Sequence, residues 1–161
     1  MSSGRQKKTI EFTPPDVAAV AHELDVLHAA GGGWINLMPG IDEEASEVHP
    51  RAGLFAFFGN NAAPVTMTTV MPPKKDRSDA EGLTVGIMHP TGGKAVERLA
   101  EAGVTVPDGW VVRQDHARRG LLLRTPVAVA DADVIDWCVR AGTALCRAEM
   151  TGRWRAVVYL P

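Results

Sequence analysis

Residues 83–124, LTVGIMHPTGGKAVERLAEAGVTVPDGWVVRQDHARRGLLLR, decide the fold. Leu83 to Met88 is a short apolar run closed by His89-Pro90, which reads as a strand. From about Gly92 to Ala102, Val96, Leu99 and Ala100 recur at helical spacing, and Gly103 supplies the stop. Trp110 to Gln114 and Leu121 to Arg124 then form a hairpin around an Arg-rich turn. Strand, helix, strand, strand opens a split βαβ unit.

Working outward, Asp131 to Arg147 places Val134, Cys138, Ala141 and Leu145 on one helical stripe. Arg153 to Leu160 alternates as a last strand with Trp154, Ala156 and Val158 facing inward. The second half therefore has the order β-α-β-β-α-β, the ferredoxin-like plan. Upstream, Lys8 to Phe12 is a strand, and Val17, Val20, Ala21, Leu24, Leu27 and His28 form the apolar stripe of a helix. Thr13 serves as its N-cap, Pro14 as its first residue and Gly31 to Gly33 as its stop. Trp34 to Met38 and Leu54 to Phe58 read as strands covered on both faces, and Val65 to Val70 as a more exposed one. Pro39 to Ala52 is an acidic loop.

The expected fold is thus α+β, with a largely antiparallel sheet and helices packed mainly on one face. It is one domain over residues 1–161, with half-repeats at about 7–71 and 83–161 and a mobile connector at about 72–82. Each half is a ferredoxin-like (βαββαβ-type) unit, the first lacking its second helix. Gly33-Trp34 followed by Arg51-Ala52-Gly53-Leu54 echoes Gly109-Trp110 followed by Arg118-Arg119-Gly120-Leu121.

At 161 residues, 45% hydrophobic and 22% charged, the composition is that of a globular domain. No apolar run approaches the roughly 20 residues needed to span a bilayer, and the basic N-terminus has no apolar stretch behind it. A cytoplasmic protein with no membrane partner is expected. Twelve arginines against five lysines suggest a GC-rich bacterial source. Cys138 and Cys146 fall in one helix about 12 Å apart along its axis, too far for a disulfide. Both are expected to be reduced core thiols. The net charge of −2 conceals an asymmetry: eight acids and no Lys or Arg lie between Glu11 and Glu47, whereas eight arginines face five acids from Trp110 onward. Overall the chain lacks the basic footprint of a nucleic-acid binder.

The histidines do not form a metal site. His22 and His28 lie about 240° apart around a helix, and no Cys-x2-Cys or His-x3-His spacing occurs. No metal or cofactor is expected. His89-Pro90-Thr91-Gly92-Gly93-Lys94 sits between strand and helix, but Met88 and Ala95 replace the first Gly and the Ser or Thr of a phosphate loop. The densest polar cluster is Arg113 to Gly120. There Asp115 could orient His116, with His89 nearby, and Arg118 or Arg119 could hold a carboxylate or phosphate. Trp34 and Trp110 are candidate walls of an apolar pocket. Glu43, Glu44, Glu47 and His49 form a second cluster, read as a solvated loop.

The leading expectation is a non-catalytic domain that binds a small, partly apolar ligand or a protein partner in the cleft between its halves. The alternative is a small enzyme using Asp115, His116 and Arg118 with His89. A further alternative is a homodimeric structural or regulatory protein. No motif identifies a family.

Overall fold

The computed structural model describes residues 5–42, 65–76 and 81–161. Its elements in chain order are β1 (Lys7–Phe12), α1 (Ala18–Ala30), β2 (Trp34–Ile41), β3 (Met67–Met71), β4 (Thr84–Met88), α2 (Ala95–Glu101), β5 (Val111–His116), β6 (Gly120–Arg124), α3 (Asp131–Leu145) and β7 (Met150–Tyr159). The strands form one sheet in the order β1-β7-β2-β3-β4-β6-β5, with every neighbouring pair antiparallel.

This order contains the split βαβ unit twice. In the first, α1 joins β1 to β2, which run parallel with β7 inserted between them. In the second, α2 joins β4 to β5, which run parallel with β6 between them. The two units meet at β3, which pairs with β2 on one side and β4 on the other. β7 follows α3 in the chain, yet it does not lie beside β4, whose free side β3 occupies. Instead α3 crosses the sheet between α1 and α2 and delivers β7 into the first unit. The element order fits two ferredoxin-like halves, with the last strand carried across to the other half. The pairing expected between Trp34 to Met38 and Leu54 to Phe58 lies outside the described residues.

The three helices pack on one side of the sheet, where alternate strand residues form a single core. Ile35, Leu37, Val85, Ile87, Leu121, Leu123, Ala156 and Val158 point into it, against Leu24 and Leu27 of α1, Leu99 of α2, and Val134, Ile135 and Cys138 of α3. Gly142 lets α3 approach the sheet, since a Cβ there would meet the Trp154 ring at 2.9 Å. Trp137 is buried beside Trp110 and donates its indole N–H to Thr105 O at 2.9 Å.

Several local readings change. α1 begins at Ala18 and not at Pro14, because Pro15 forces its predecessor out of the helical region. Residues 13–16 form a turn, and Asp16 Oδ1 accepts from Ala18 N at 3.4 Å. β2 is buried on alternate residues only, so it is covered on one side, as a one-sided antiparallel sheet requires. Thr66 and Thr68 are buried along with Val70, and Thr66 Oγ1 donates to Gly142 O at 2.9 Å. At the two ends of the connector, Pro72 and Pro73 are buried and Glu81 pairs with Arg124 at 2.9 Å. Among the described residues no helix is long and apolar enough to cross a membrane. Cys138 is buried, which pushes its thiol pKa far up, and Cys146 is half-buried; neither forms a disulfide.

Candidate functional site

Asp115 lies at the end of β5 on the covered side of the sheet, opposite Leu121. Its carboxylate accepts from Ala95 N at 2.9 Å and Val96 N at 3.1 Å, so it caps the start of α2 from another element. Both bonds satisfy helix N–H groups that have no partner within the helix. His116, the next residue, points to the opposite side. Its Nδ1 accepts from Arg118 N at 3.1 Å and Arg119 N at 3.2 Å, closing the β5–β6 turn. Adjacent strand residues diverge, so Asp115 does not orient His116.

His89 is buried just beyond β4 on the covered side. Its Nδ1 lies 2.9 Å from Thr91 Oγ1 and accepts weakly from Thr91 N at 3.4 Å, which places the ring proton on Nε2. Nε2 is buried with no hydrogen-bond partner among the described residues. Burial holds the imidazole pKa below its ordinary value, the Arg98 charge adds to this, and Asp115 opposes it. Asp115 and His116 thus point to opposite sides of the sheet, while His89 lies on the same side as Asp115 and feels its charge. His49 lies outside the described residues, as do Glu43, Glu44 and Glu47.

The tryptophans also separate. Trp34 lies on the uncovered side, stacked on Tyr159 with ring centroids 4.8 Å apart. Arg5 covers its other face at 4.6 Å, so neither face of the ring is open to a ligand. Trp110 packs on Trp137 on the helix side, 5.0 Å between centroids.

A concavity does exist where the halves meet, on the side of the sheet opposite the helices. It is an open groove of about 290 Å³ lined by Thr69 and Met71 of β3, Thr84, Gly86 and Met88 of β4, Leu122 of β6, and Gln114 and Arg119 of the β5–β6 hairpin. That volume lies at the small end of ligand pockets. Met71, Met88 and Leu122 supply apolar walls, and the two methionines can adapt because unbranched thioether side chains repack easily. The Gln114 amide donates to Arg119 O at 3.1 Å and holds the turn that carries Arg119 to the groove. Arg119 makes no ion pair among the described residues, whereas Arg124 is paired with Glu81 and Arg155 with Glu11.

Of the residues singled out in the sequence, only Arg119 lines this groove; Arg118 stands exposed at the hairpin tip. Met71, Gly86, Met88 and Leu122 carried no signal beyond strand alternation. Among the described residues no cluster of His, Cys, Asp and Glu could hold a metal ion. No family model, curated protein or solved structure matches the chain.

Proposed function

We propose that the protein is a non-catalytic binding domain that holds a small amphipathic anion in the groove between its halves. One observation carries the reading: an apolar groove lies on the side of the sheet opposite the helices, and it is lined by Arg119, which makes no ion pair among the described residues. Methionine and leucine walls suit the apolar part of such a ligand. Arg119 offers paired N–H donors to a carboxylate, a bond of the charge-assisted kind. Two of the residues that favoured catalysis bond to the backbone, Asp115 at the start of α2 and His116 in the β5–β6 turn, which supports the non-catalytic reading.

Calorimetric titration with octanoate and naphthoate, each beside its uncharged amide, tests this. At least one carboxylate binds, about tenfold or more tighter than its amide, as a charge-assisted hydrogen bond implies. Arg119→Ala removes that advantage. If neither carboxylate binds, or if Arg119→Ala leaves the preference for the anion intact, the reading fails.

A further inference from the structure

Gly86 sits in the middle of a central strand and has no structural reason to be glycine. It pairs in unbroken register with Thr69 of β3 and Leu122 of β6, so no bulge explains it. Its φ is not in the left-handed region. Among the described residues a Cβ built there would meet one atom within 4 Å, Leu122 Cδ1 at an ordinary 3.7 Å. The other strand glycines differ. At Gly40 a Cβ would strike Thr151 Oγ1 at 2.7 Å, at Gly120 it would strike Ile87 O at 2.4 Å, and Gly152 has a φ of +88°. Glycine inside a strand weakens it, and where neither bulge nor bend is present it marks a close approach from outside.

What Gly86 leaves is a bare patch of backbone on the groove floor. Its flanks Val85 and Ile87 face the core, so position 86 faces the open side. The patch is bordered by Thr84 and Met88 along its own strand and by Thr69 and Leu122 across. Bare glycine backbone on a sheet is the place where an aromatic ring packs, as cross-strand aromatic pairs over glycine show. Sulfur beside a ring edge adds to the contact. Resting on the reading of the groove as an anion site, we propose that its occupant is a planar aromatic anion. The ring lies flat over Gly86 between Met71, Met88 and Leu122, and the carboxylate reaches Arg119. Gly86 is then the residue that sets specificity, by keeping the floor free of a side chain.

The test is calorimetry and thermal unfolding of the wild type, Gly86→Ala and Gly86→Val. The wild-type protein prefers naphthoate to octanoate by about tenfold, one rotamer-free ring against a flexible chain that must be ordered. In Gly86→Val that preference disappears, and Gly86→Ala is intermediate. Both variants hold or raise Tm, by roughly 2 °C, because a strand interior favours a side chain over glycine. Octanoate bound as tightly as naphthoate, with Arg119 still required, overturns the aromatic assignment and leaves the anion site standing. Undiminished naphthoate binding in Gly86→Val overturns the role of Gly86. A lower Tm in both variants does the same, since it shows that the fold itself requires the glycine.

Discussion

The two sides of the sheet follow different rules. Leu121, Leu122 and Leu123 are consecutive in β6, yet the first and last are 1% and 0% exposed beneath the helices, while Leu122 is half-buried on the groove. On the covered side, Asp115 is bonded to the backbone of α2 and Thr66 to that of α3. On the open side, among the described residues, Arg119 has no ion partner and Gly86 has space above it. Apolar area removed from water stabilises the domain; apolar area left on a concave face is available to a ligand. The proposed binding role falls to the less conspicuous side chains of the open face, and the covered face is where substitutions should act on stability.

The largest effect expected from this contrast is at Leu123. Leu123→Ala leaves a cavity in a close-packed core and costs about 2–5 kcal/mol in chemical denaturation. A loss of under about 1 kcal/mol would mean that the covered face is far looser than its burial indicates.

Next comes Asp115. Asp115→Ala removes the acceptor for two helix N–H groups and lowers stability by about 1–2 kcal/mol, while octanoate and naphthoate affinities stay unchanged. A variant of full stability that no longer binds would return Asp115 to the functional site.

A smaller effect is in the pH dependence. The folded-state pKa of His89 lies below 6.5, so the unfolded chain takes up the proton first. Its contribution to stability is present above pH 6.5 and is lost as pH falls through the window between the unfolded and the folded value. Asp131 acts in the opposite sense. Burial raises its pKa above 3.8, against the opposing charge of His28 at 3.5 Å, so its contribution is present at low pH and fades as pH rises. The difference between wild type and His89→Gln isolates the first effect. The stability of the variant falls less steeply just below pH 6.5. Parallel curves for the two proteins would assign the slope to other groups.

The smallest stability effect is at Leu122. Leu122→Ala, one residue from Leu123, costs less than about 1 kcal/mol because the side chain is already partly in water. Ligand affinity falls severalfold with the lost wall of the groove. A stability loss equal to that of Leu123→Ala would erase the distinction between the two faces.

Most of the architecture was written in the order of residues. The apolar stripes of α1 and α3, the alternation of β7 and the run from Leu83 to Arg124 are local patterns, and they were enough to predict an antiparallel α+β fold with helices on one side. Periodicity shows which residues of an element share a face, but not which strand will lie beside it. For that reason the insertion of β7 between β1 and β2 was settled only by long-range pairing. The start of α1 was misplaced because Thr13 and Pro14 resemble a cap, while the second proline acts on the first through sterics. At the site, residue type alone drew attention to Asp115, His116 and His89. Strand alternation separates Asp115 from His116, and backbone N–H groups bond both Asp115 oxygens and His116 Nδ1. Arg119 stood out for its charge. Met71, Gly86, Met88 and Leu122 come from three strands and form a groove only when those strands are adjacent. Composition determined that the chain would bury a core, and local spacing determined its elements. Which face stayed open, and what gathered there, depended on contacts between residues far apart in the chain.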